Sequence, residues 1–264
     1  MRTMKYVEVK GARVPALGFG TYGLNGGSGI KAIRLALDVG FRHLDTASRY
    51  ENEAEVGRAI AESGVDRGEV FLTTKVWPDS LAYGDLQRSA ERSLGRLKTD
   101  YVDLLLIHWP STTVPLAESL RALAEVKRAG KARHIGVSNF SVERMEEAEA
   151  LHGGELLCNQ VEYNPTISRK SELEFVRAHG MMLTAYTPIA RGATNGDATL
   201  SAIGRKYGKS GVQVALRWLI EQQGVAAIPK AASEKHCREN LAIFDFALTP
   251  AERAAIDGLA GPGK

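Results

Sequence analysis

The chain has 264 residues, 25% charged and 44% hydrophobic, so it can bury a substantial core, and no apolar run approaches a membrane span. Its net charge of +3 is dispersed among acidic residues, which argues against a nucleic-acid or membrane partner. The two cysteines, Cys158 and Cys237, stand at no metal-ligand or disulfide spacing and read as buried or incidental thiols.

The N-terminal segment alternates and carries charge, with no secretory apolar core, so a cytoplasmic protein is expected. YVEVKGARVP reads as a hairpin turning at Lys10-Gly11. Next comes GFGTYG (18–23), which matches the dinucleotide pattern G-x-G-x-x-G. The chain holds 27 glycines, and LNGGSG follows in place of an immediate helix, so a Rossmann reading fails on context. GIKAIRLALDVG (29–40) has Ile30, Ile33, Ala36 and Leu37 on one helical face, with Ser28-Gly29 to start the helix and Gly40 to end it. Strands are then predicted at 16–21, 41–46, 69–75, 103–108, 132–138, 156–160, 181–186 and 225–230. DLLLIH (103–108) is apolar enough for a strand covered on both faces, and the amphipathic segment 115–131 after it reads as a helix. Most spacings fit a βα unit of about 30 residues. Helices are predicted at 197–208 and 211–223, between strands seven and eight, and at 233–242 and 250–259 after strand eight. The prediction is a single α/β domain over 1–264, a (β/α)8 TIM barrel with the hairpin capping its bottom.

Active sites of such barrels lie at the C-terminal strand ends. The sequence puts Thr21, Asp45, Lys75, His108, Ser138, Asn139, Asn159, Gln160, Tyr186 and Lys230 there. Asp45, Lys75 and His108 fall on neighbouring strands, and Tyr50, five residues past Asp45, can turn back over the mouth. A phenol is a weak acid at neutral pH; an ammonium at Lys75 is expected to lower its pKa, Asp45 to hold that ammonium, and His108 to donate to a substrate oxygen. The set forms a proton donor for a carbonyl. No metal is demanded, because it offers only two good ligands.

GFRHLDTASRYENEAEVGRAI (40–60), LTTKVWP (72–78), LLLIHWP (104–110), IGVSNF (135–140), NQVEYNP (159–165) and IPK (228–230) resemble, in order, the signature segments of the aldo-keto reductase family. The nearest fit is to its short bacterial members acting on diketogluconate and methylglyoxal. The resemblance implies a reductase in which Tyr50 is the general acid, Asp45 and Lys75 tune it and His108 orients the substrate. It also implies a nicotinamide cofactor, usually NADPH, lying across the mouth. Gly20, Thr21 and Tyr22 would border the nicotinamide, with Tyr186 stacked on it and Ser138, Asn139 and Gln160 on its carboxamide. Thr187, Pro188, Ile189, Arg191 and Gly192 would run over the pyrophosphate. Lys230, Ser233 and His236 would meet the 2′-phosphate, and Glu239 and Asn240 the adenine.

Ala231 and His236 depart from the family's usual serine and arginine, and histidine lacks the charged bidentate fork of arginine. NADPH is therefore expected to be preferred, with NADH accepted. Trp77 and Trp109 should line an apolar mouth with Tyr22 opposite, whereas Trp218 reads as a packing residue. The short PSTTVP loop and the close of the chain at AGPGK suggest an open site for small carbonyl compounds: dicarbonyls such as methylglyoxal, aromatic aldehydes, keto sugars or keto acids. The family default is a monomer. Two alternatives are a Schiff-base aldolase using Lys75, which a carboxylate at Asp45 opposes, and a redox-sensing nicotinamide-binding subunit.

Overall fold

The structure, a computed structural model, describes residues 4–261. The last residues of AGPGK, 262–264, lie outside the described part. The N-terminal hairpin pairs β1 (Tyr6–Val9) with β2 (Ala12–Pro15) in antiparallel register, turning through Lys10 and Gly11, both with positive φ. Eight parallel strands follow: β3 (Phe19–Gly20), β4 (His43–Asp45), β5 (Phe71–Val76), β6 (Val102–Ile107), β7 (Ala132–Ser138), β8 (Leu156–Glu162), β9 (Met182–Tyr186) and β10 (Val225–Ala227). They lie side by side in sequence order. The edges meet through a parallel bridge between Leu17 and Ala227 and hydrogen bonds from Gly18 N to Ala227 O (2.8 Å) and Gly20 N to Pro229 O (3.0 Å). The molecule is thus the expected (β/α)8 barrel.

Ten helices surround it among the described residues: α1 (Gly26–Val39), α2 (Glu53–Ser63), α3 (Tyr83–Leu97), α4 (Leu116–Arg128), α5 (Val142–His152), α6 (Lys170–Ala178), α7 (Ala198–Tyr207), α8 (Gly211–Glu221), α9 (Glu234–Leu241) and α10 (Pro250–Asp257). Every residue of β5 and β6 is buried, because helices cover one face and the barrel interior the other. Capping boxes at Ser210/Gln213 and Thr249/Glu252 start α8 and α10, and Gly40 ends α1 in the left-handed region at φ 115°. The hairpin covers the N-terminal ends of the strands: Lys10 donates to the carbonyls of Gly154 and Leu156, and Lys5 to that of Ile220. Trp218 packs against Tyr163 and donates to Asp257, as a core residue should. Both cysteines are free and buried, Cys158 in β8 and Cys237 in α9.

The two strands that flank the seam are both shorter than predicted. β10 stops at Ala227 because Pro229 has no N–H to continue the ladder. In β3, a Cβ on Gly18 would lie 2.7 Å from the His43 ring and one on Gly20 would lie 2.9 Å from Ile228 O. The glycines of GFG therefore let the first strand pack closely against β4 and against Ile228 at the closing seam.

Candidate active site

β4 ends at Asp45, and β5 carries Lys75 two residues beyond Thr73, the register partner of Asp45, with both side chains essentially inaccessible. The Lys75 ammonium donates to Asp45 Oδ1 (2.5 Å), to Thr46 O (2.9 Å) and to the Tyr50 hydroxyl oxygen (3.4 Å). Tyr50 stands on a 3-10 turn, Ser48–Tyr50, that returns the chain over the mouth and is pinned to β5 by Ser48 Oγ donating to Lys75 O at 2.9 Å. His108, one residue past β6, is fixed by its backbone N–H to Val76 O and by Asn139 Nδ2 donating to its carbonyl. Its ring meets Tyr50 edge-on at 5.6 Å and Trp77 at 5.1 Å. Asp45, Tyr50, Lys75 and His108 are thus brought together.

The three partners around one nitrogen match an ammonium, which has three N–H bonds to give. Burial opposes that charge, but the Asp45 carboxylate and Tyr50 outweigh it and hold the Lys75 pKa above its ordinary value. For Tyr50 the expected direction is corrected. Burial raises the phenol's pKa more than Lys75 lowers it, so the hydroxyl is firmly protonated. With its oxygen accepting from Lys75, the Tyr50 proton is free to point into the mouth. Burial, then Lys75, push His108 down to about 3, which makes it a neutral imidazole, and its buried Nδ1 has no hydrogen-bond partner among the described residues. A protonated phenol beside a neutral imidazole suits a carbonyl oxygen.

The second carboxylate oxygen, Asp45 Oδ2, accepts from Gln160 Nε2 at 2.8 Å, a contact the sequence reading did not foresee. Ser138 Oγ donates to Gln160 O, Asn139 Nδ2 to Ser138 Oγ, and the Tyr186 hydroxyl to Asn139 Oδ1, so these four residues form one connected rim. Asn139 holds φ 61°, and Thr187, Ala190, Arg191 and Gly192 also have positive φ, a strained run beside Pro188 and Ile189. Within that run Ala190 N donates to Thr187 O and Gly192 N to Ile189 O, which fixes its turn beside the mouth. Lys230 is exposed, and its ammonium reaches back to Gly23, where an added Cβ would lie 3.8 Å away. Beyond it Ser233 caps α9, its Oγ accepting from His236 N. Glu239 is half-exposed on that helix, while Asn240 lies buried on its inner face.

Tyr22 is exposed with its ring edge-on to Tyr50 at 5.0 Å, Trp77 is half-buried, and Trp109 is exposed. Thr21 is buried and donates to Asp45 O. A residue missed from the sequence is Asn52, at the start of α2. Its Nδ2 donates to Thr21 O and Leu24 O, and its Oδ1 accepts from Thr46 Oγ1, so one buried amide ties together both loops flanking Asp45. Glu53 is missed likewise; it accepts from Thr74, next to Lys75, and from Arg96. Two clefts elsewhere, a groove of about 500 Å³ between α7 and α10 and one of about 270 Å³ under the hairpin, contain no such convergence of proton-transfer groups.

A barrel whose strand-end carboxylate, lysine, tyrosine and histidine share one mouth defines a carbonyl-reducing oxidoreductase. The profile of the Aldo/keto reductase family matches residues 16–260, and the chain belongs to that family. The sequence is 39% identical over 249 residues to methylglyoxal reductase DkgB of Salmonella typhi, covering 93% of each chain. It is also 39% identical to glyoxal reductase of Bacillus subtilis, covering 94% of this chain and 90% of the other. A provisionally named 2,5-diketo-D-gluconic acid reductase B shares the fold at TM-score 0.97 and 49% identity, covering 99% of this chain and 93% of its own. Bombyx mori aldo-keto reductase, solved in complex with NADP, does so at TM-score 0.91 and 32% identity, covering 97% and 93%. The family uses nicotinamide cofactors.

Proposed function

We propose that this protein uses NADPH, and less readily NADH, to reduce small aldehydes and ketones, dicarbonyls such as methylglyoxal among them. The observation that carries the reading is the Lys75 ammonium held between Asp45 Oδ1, Thr46 O and the Tyr50 oxygen. The reduced nicotinamide, when bound, supplies the hydride. Tyr50 gives its proton to the carbonyl oxygen, and the phenolate so formed faces an ammonium that cannot move away. His108, neutral, donates a hydrogen bond that fixes the same oxygen over the mouth. The rim of Ser138, Asn139 and Gln160 is suited in hydrogen-bonding chemistry to a carboxamide, and Tyr186 to a flat ring. The run 187–192, with the cation of Arg191, suits the pyrophosphate. Lys230 with the capped start of α9 suits a 2′-phosphate.

The raised pKa of Lys75 speaks against a Schiff-base aldolase, which needs a neutral amine. The test is consumption of reduced nicotinamide in the presence of methylglyoxal, followed by absorbance, for wild type and Tyr50→Phe. The variant should lose about a hundredfold or more in kcat while keeping its fold. A Tyr50→Phe enzyme as fast as wild type overturns the assigned role. Dissociation constants for NADPH and NADH test the cofactor preference, and tighter NADH binding reverses it.

A further inference from the structure

The chemistry that ends at the carbonyl does not use Arg49, the residue immediately before Tyr50. Its guanidinium lies over the Trp77 ring, 5.5 Å from the centroid, and Trp77 in turn meets His108 edge-on. Its other partner among the described residues is Glu51, at the 4.0 Å limit of an ion pair, with side chains 61% and 78% exposed. Such a loose surface pair contributes little and is readily exchanged. The 3-10 turn that carries Arg49 is itself held by Ser48 Oγ on Lys75 O and Tyr50 N on Ala47 O, so the cation rises from a fixed base beside the proton donor. An indole platform orients it, and its planar fork matches a carboxylate bidentately.

We infer that Arg49 makes this mouth select carbonyl compounds that bear a carboxylate several bonds from the reacting carbon, as in oxo acids and keto sugar acids. This rests on the carbonyl-reductase reading above. The carbonyl sits between Tyr50 and His108, and the far end of the substrate runs along Trp77 to the guanidinium. A carboxylate on the adjacent carbon would fall short, since a whole indole separates imidazole from guanidinium. The contact lies away from the reacting bond, so it holds ground state and transition state alike and acts chiefly through KM.

The probes are 4-carboxybenzaldehyde and its neutral methyl ester, methyl 4-formylbenzoate, compared by kcat/KM for wild type, Arg49→Gln and Arg49→Lys. Wild type should favour the acid. Arg49→Gln should cut the acid-to-ester ratio about tenfold or more, mostly in KM, with part of it restored in Arg49→Lys. The wild-type ratio should also fall as salt rises, because the cation is exposed. Reduction of both compounds with a ratio that Arg49→Gln leaves within about threefold overturns the inference and leaves the reductase reading intact. Reduction of methylglyoxal but of neither probe overturns the inference alone, whereas if wild type reduces none of the three with NADPH or NADH, the reductase reading fails and takes this inference with it.

Discussion

Lys75 has three hydrogens to give, and Asp45, Thr46 and Tyr50 take them all. The pair with Asp45 is sealed from water, at 0% and 2% side-chain exposure, so each partner depends on the other for its charge. Asp45→Asn leaves an ammonium with only neutral acceptors and should destabilise the fold by about 3–5 kcal/mol. Lys75→Met should cost about as much, by stranding the carboxylate against Gln160 alone. The double variant should lose clearly less than the sum of the two, because both charges leave together. Urea denaturation of the four proteins reads this cycle; strict additivity would mean that the ion pair is not the coupling. The Asp45–Lys75 pair and the nearness of His108 could be read from strand order alone. The direction of the Tyr50 pKa could not, because it turns on how deeply the fold buries the phenol.

At the scale of elements, the alternation of apolar strands and amphipathic helices is directly legible, because each strand must be covered on both faces. The seam is not. β3 and β10 shrink to Phe19–Gly20 and Val225–Ala227 because the closing contacts run through Leu17, Gly18 and Pro229, outside a regular ladder. Asn52 was equally hidden: it stands where a helix-capping side chain belongs, yet makes no cap and instead joins the Thr21 and Leu24 carbonyls to Thr46. Its three contacts have sequence separations of 31, 28 and 6 residues, which no local pattern reveals. Asn52→Ala leaves those buried groups unpaired and should cost about 1–3 kcal/mol. It should also raise KM, since the loop it secures carries Tyr22. Unchanged kinetics alongside lost stability would limit Asn52 to a structural role.

For the molecule as a whole, two buried histidines set a pH response. Burial lowers the pKa of both His43 and His108 from 6.5, the latter to about 3, aided by Lys75. The unfolded chain therefore binds protons that the folded one refuses as pH falls through 6.5, so stability drops on acidification. His108 alone should account for about 2 kcal/mol between pH 7 and pH 5, with His43 acting in the same direction. Urea midpoints across that range should show the decline, and His108→Gln should remove its share. A variant that tracks wild type at every pH would show that the histidine titrates normally in the fold. The two cysteines offer a different use. Cys158 lies in a central strand, its thiol pushed by burial to about 12, whereas Cys237 sits in an eight-residue helix on the outer layer. Each is therefore a clock started only by local opening, since a thiol reagent can record a burst of exposure that leaves the average structure unchanged. Pulsed alkylation should mark Cys237 well before Cys158, timing how often α9 lifts from the barrel without the sheet itself coming apart.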